Sequence, residues 1–193
     1  MEQRDTIFAL SSGQPPAGIA LIRISGPVAG RALSQLAGGL PQPRRASYRR
    51  FRDAAGAPLD DGLALWFPGP ESATGEDLAE LHVHGGRAVV AAILDTLGQV
   101  PGCRPALAGE FTRRALLHGR IDLTEAEGLA DLLAAETEAQ RQSALALAEG
   151  QAEPEALRFA SAAAAIKCSR PDGIAGAPTR AEVQALLRQH HPL

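Results

Sequence analysis

The chain has 193 residues, 45% of them hydrophobic and 21% charged, enough to bury the core of one ordinary domain or of a domain with an appendage. A net charge of −3 excludes a global field that would draw in nucleic acid or an anionic membrane, so any RNA contact must come from a local patch or from sequence outside these residues. Cys103 and Cys168 sit in no metal-ligand spacing and no disulfide framework, and no signal-peptide-like or membrane-length apolar run occurs, so the expectation is a cytoplasmic protein with reduced thiols.

Residues 6–10 form a short apolar run, broken by Ser11-Ser12-Gly13 and Pro15-Pro16. Residues 18–25 (GIALIRIS) read as a strand with Ala20, Ile22 and Ile24 on one side and Leu21, Arg23 and Ser25 on the other. Gly26-Pro27 stops it, a helix follows to about residue 36, and Gly38-Gly39 ends that helix. Residues 44–52 (RRASYRRFR) are the cationic cluster, with Tyr48 and Phe51 interleaved. Phosphate contact with base stacking is one reading; an edge strand that uses arginine against mispairing is the favoured one. Asp60-Asp61-Gly62 reads as a turn into a buried strand over residues 62–67.

Residues 75–86, GEDLAELHVHGG, organise the chain. Alternation predicts a strand over residues 77–83, with Ala79, Leu81 and Val83 on the core face and Leu78, Glu80, His82 and His84 on the other. A carboxylate and two imidazoles on one strand face need partners, whether a cation or a donor-rich ligand. Two histidines and one carboxylate are too few to assign a metal. Residues 87–97 follow as a helix, and residues 109–117 (GEFTRRALL) as a shorter one. Thr124 and Glu127 have the spacing of a capping box, opening a long helix to about residue 150 whose stripe is irregular around residues 136–142. Residues 159–166 are Ala-rich, residues 170–178 form a Pro/Gly loop, and Thr179 with Glu182 caps a last helix to about residue 189. The fold class expected is α+β, a mixed sheet with packed helices followed by a helical extension.

Three segments, DTIFAL…GIALIRISG, LALWFPGPESATGEDLAELHVHGG and ALAGEFTRRALLHGRIDLTEAEGLADLL, resemble the N-terminal domain of the MnmE (TrmE) tRNA-modification GTPases over about residues 5–148. The resemblance implies the folate-binding fold of the aminomethyltransferases over residues 1–121, the start of a helical domain over 122–150, and a homodimer. It implies a formyl- or methylene-tetrahydrofolate as one-carbon donor for the wobble uridine of tRNA, with a flavoprotein partner, MnmG. The folate site it implies consists of Arg23, Glu80 and Arg120. A carboxylate suits the amino and ring N–H edge of a pterin, and guanidinium suits the carboxylates of a folate tail. Ala108 stands where the family usually has proline, and Arg120 where lysine is common.

GTP, K+ and Mg2+ belong to the full-length family, because no G-x-x-x-x-G-K-[ST] pattern occurs in this sequence. The chain reads as truncated before the GTPase domain and not a GTPase by itself. The family's C-terminal cysteine motif is also absent. Residues 151–193 resemble instead the C-terminal end of ribokinase-like (PfkB) sugar kinases, without the Gly-Ala-Gly-Asp motif those kinases need. A fusion or frame artefact with a junction near residues 145–150 is the expectation, and weak packing of the tail follows from its small apolar side chains. A stand-alone one-carbon transferase using Glu80 and His82, and an inactive sugar-kinase remnant, are the alternatives.

Overall fold

A computed structural model describes residues 5–149 and 179–189. The chain divides into two units, Met1–Arg120 and Ile121–Leu193. The first is built on a mixed six-stranded sheet of β1 (Thr6–Leu10), β2 (Ala17–Ser25), β3 (Ser47–Arg52), β4 (Pro58–Phe67), β5 (Leu78–Gly85) and β6 (Cys103–Pro105), in the order β3-β4-β5-β2-β1-β6. All neighbours are antiparallel except β1 and β6, which run parallel. Three helices join it: α1 (Ala29–Ala37), α2 (Arg87–Gly98) and α3 (Glu110–Leu117).

The core lies on one face of the sheet, where alternation sends Ala20, Ile22 and Ile24 from β2 and Ala79, Leu81 and Val83 from β5. Leu33 and Leu36 of α1 and Val90, Ile93 and Leu97 of α2 cover them, with Trp66 and Phe51 completing the layer. At roughly 1.5–3 kcal/mol per fully buried large apolar side chain, this layer is the main source of stability in the first unit. The other face carries Arg23 and Leu21 on β2, Glu80, His82 and His84 on β5, and Leu63 and Leu65 on β4. Leu78, expected on that less buried face, is almost fully buried there.

The arginine-rich segment is an edge strand, in agreement with the favoured reading. Its arginines turn to nearby acceptors: Arg50 forks onto Asp61 at 2.7 and 3.0 Å, and Arg52 donates to Gly56 O at 2.8 Å. The expected turn at Asp60-Asp61-Gly62 is corrected, since all three lie inside β4. The reversal comes earlier, where the Asp53 carboxylate accepts from the amides of Ala55 and Ala57. Gly62 is needed in the strand because a Cβ there would run into the carbonyl of His82 on β5.

In the second unit the long helix is two helices, α4 (Leu123–Ala134) and α5 (Glu138–Ala148). Each begins with its own capping box: Asp122 with Glu125, and Thr137 with Gln140. The cap of α4 thus starts two residues before the expected Thr124. Ala135 is extended, and Thr137 then stops α4 by capping its successor. The last helix, α6 (Arg180–Gln189), begins as expected, with Thr179 N donating to Glu182 at 2.7 Å and Glu182 N donating to Thr179 Oγ1 at 3.3 Å. The Ala-rich segment, the Pro/Gly loop and Cys168 lie outside the described residues. No helix among the described residues is long and apolar enough to cross a membrane.

Candidate folate site

Register alone brings the first two expected site residues together. Arg23 on β2 stands directly opposite Glu80 on the neighbouring antiparallel strand β5, on the face away from the main core. The Arg23 guanidinium donates twice to one carboxylate oxygen, from Nε at 3.0 Å and from Nη2 at 2.7 Å, both to Oε1. The Glu80 side chain is 14% exposed and that of Arg23 29%. Phe111 of α3 stands 5.9 Å from the guanidinium, ring centroid to Cζ, which adds a cation–π contact and limits how far the arginine can swing.

This pairing corrects the simplest picture of the carboxylate. With two donors from Arg23, Oε1 has both lone pairs engaged, while Oε2 accepts from no described residue. The open acceptor of Glu80 is therefore Oε2. His82, two residues along the same strand face, points its Nε2 at Oε2 from 3.6 Å, beyond hydrogen-bond distance. That nitrogen is buried and has no hydrogen-bond partner among the described residues. His84 is engaged elsewhere, with its amide and its Nδ1 both meeting the Asp60 carboxylate, at 2.7 and 2.8 Å. No group of three or more metal-ligand side chains occurs among the described residues.

Arg120 follows α3, and its amide donates to Ala115 O at 2.8 Å. Its side chain is exposed, and its stem passes close to Gly75 in the loop that feeds β5. Arg120 thus lies beside the loop before the Glu80 strand and makes no ion pair among the described residues. Gly75 has φ +78°, and a Cβ there would sit 2.6 Å from His118 Cβ, so the glycine permits this approach. His118 Nδ1 and Thr74 O, 2.9 Å apart, tie the same loop to the end of α3.

Sequence reasoning missed the group that holds this frame. Arg114 of α3 is 1% exposed and donates to both carboxylate oxygens of Glu76 at 3.2 and 3.0 Å, to Asp5 Oδ1 at 3.1 Å and to Glu110 at 3.3 Å. Glu76 also accepts from Ser25 Oγ at 2.8 Å, which locks the end of β2 to the loop before β5. Arg104 completes the network on Asp5 and Glu110. Its hydrogen bond to Glu110 outweighs burial and holds that carboxyl down at about 2, and its hydrogen bond to Asp5 likewise lowers the Asp5 carboxyl. The only local signal was the spacing of Glu110 and Arg114, four apart on one helix face. Asp5, over a hundred residues away, left none.

A sequence model described as "GTP-binding protein TrmE N-terminus" matches residues 6–120, more than half of the chain. The chain belongs to the TrmE N-terminal family. The curated proteins agree. The tRNA modification GTPase MnmE of Novosphingobium aromaticivorans is 67% identical over 147 residues, covering 76% of this chain and 34% of its own. MnmE of Methylorubrum populi is 63% identical over 149 residues, covering 77% and 34%. MnmE of Brucella anthropi is 59% identical over 147 residues, covering 76% and 33%. This TrmE-type chain spans about a third of the length of these relatives.

Proposed function

We propose that the TrmE-type unit is a tetrahydrofolate-binding and dimerisation module of a tRNA wobble-uridine modification system. The observation that carries this is the Arg23–Glu80 pair, which leaves one carboxylate oxygen open on the less buried sheet face within a family named for tRNA-modification GTPases. The residues fit a reduced pterin: Oε2 of Glu80 accepts from its amino edge, and Arg23, flanked by Phe111, fixes the carboxylate. Arg120, exposed beside the Gly75 loop and without an ion pair among the described residues, takes the carboxylates of the folate tail. Bound 5-formyl- or 5,10-methylene-tetrahydrofolate would supply a one-carbon unit. The protein's own part is to hold and orient the donor.

Ile19 and Tyr48, large and exposed, with Leu63 partly so, favour pairing of two copies through this sheet face. The flavoprotein MnmG, tRNA and a cytoplasmic setting belong to the same proposal. GTP hydrolysis is left to the longer relatives, because the sequence carries no P-loop pattern. Glu80 with His82 favours a second reading, a stand-alone one-carbon transferase, since it is a carboxylate–imidazole cluster beside the donor. For residues 151–193 the resemblance to a ribokinase-like C-terminus remains a proposal of common descent without kinase activity. Isothermal titration of the 193-residue chain with 5-formyltetrahydrofolate tests the main reading. Saturable binding is expected, and no binding at millimolar ligand overturns it. Turnover of a methylene donor by the chain alone would favour the second reading.

A further inference from the structure

We propose that His82 is a positioning residue for ligand recognition by Glu80: in the ligand-bound protein its Nε2–H donates to Glu80 Oε2 and fixes the remaining lone pair toward the ligand. The inference rests on the folate reading of the site and adds a residue to it. Three observations converge. The Nε2 atom is buried without a hydrogen-bond partner among the described residues, a condition that favours any small movement that pairs it. Oε2 of Glu80 stands 3.6 Å from it, so a movement of less than about 1 Å closes the bond. The register places only Leu21 and Leu63 beside His82 on the flanking strands, so neither neighbour offers an alternative acceptor on a side chain.

The consequence is a division of labour around one carboxylate. Arg23 holds Oε1 with two donors, and His82 holds Oε2 with one, leaving a single directed lone pair for an N–H of the ligand. Hydrogen bonds of this kind are commonly long in the free protein and tighten in the complex. Any form of the ring that carries a proton on Nε2 supplies this donor.

The test uses the whole chain and 5-formyltetrahydrofolate as probe. His82→Phe keeps the ring's bulk without its nitrogens and is expected to raise Kd about tenfold, the usual effect of losing one charge-assisted hydrogen bond. His82→Gln, which keeps a side-chain N–H, is expected to recover most of that loss. In a Glu80→Gln background, His82→Phe should change Kd by less than about threefold, because a positioning role acts only through the carboxylate. On the unmodified protein, nitrogen NMR of labelled histidine should show a protonated Nε2 at His82 in the complex, a readout independent of any variant's folding. Equal weakening in both backgrounds, an unchanged Kd for His82→Phe, or a bare Nε2 in the complex each overturns the proposal. If the wild type binds and Glu80→Gln weakens binding, these failures fall on His82 alone. If the wild type does not bind, the folate reading falls, and the proposal with it.

Discussion

Arg114→Met removes the buried cation that ties α3 to the loop before β5, and its cost can be worked from its neighbours. After the change, Arg104 still neutralises Glu110 and Asp5, so those carboxylates keep a partner. Glu76 does not: it retains only the Ser25 hydroxyl as a side-chain donor, while its own side chain is 13% exposed. Breaking a buried ion pair from one side typically costs 3–5 kcal/mol, and partial exposure of Glu76 places this case near the lower end, about 3 kcal/mol. Trp66, the single tryptophan, is buried in the core of the first unit, so its fluorescence reports unfolding of that unit. With urea slopes of roughly 1–3 kcal/mol per molar, the midpoint should fall by about 1–3 M. A loss below about 1 kcal/mol would refute the reasoning.

Other outcomes follow from the same frame. The Glu110 carboxyl is lowered from 4.5 to about 2 chiefly by its hydrogen bond to Arg104, so its stabilisation is complete above about pH 4.5 and lost as pH falls toward 2. At neutral pH that stabilisation is at most about 3 kcal/mol, and acid titrations of wild type and Glu110→Gln followed by Trp66 fluorescence should approach each other progressively below about pH 4.5 and converge near pH 2. Gly75→Ala places a Cβ against His118 at a positive φ, and should cost about 1–2 kcal/mol in the same assay. Asp122→Ala removes the capping box of α4 at about 1 kcal/mol, seen as faster hydrogen exchange of the Glu125 and Ala126 amides.

The parts of this fold legible in the sequence are those with a strict period and a buried face. Ala20, Ile22 and Ile24, and Ala79, Leu81 and Val83, alternate without interruption, and both triplets lie in the core. That alternation also put Arg23 and Glu80 on the opposite face, and antiparallel pairing of β2 with β5 then brought them into contact. The first half of β4 escapes a local reading because it pairs with an exposed edge strand, where Asp60, Asp61 and Gly62 carry no apolar signature. The break between α4 and α5 shows in the stripe only as an irregularity. Its physical marker is threonine three residues before glutamine, at Thr137 and Gln140. Arg114 escaped because a buried cation is explained by partners distant in sequence, and local pattern records only Glu110.

The most direct measurement is calorimetric titration of 5-formyltetrahydrofolate into the wild-type chain and into Glu80→Ala. Saturable binding to the wild type, with the affinity lost in the variant while its Trp66 unfolding transition persists, is the expected result. Equal affinity in the two proteins would remove Glu80 from the site and contradict the central claim.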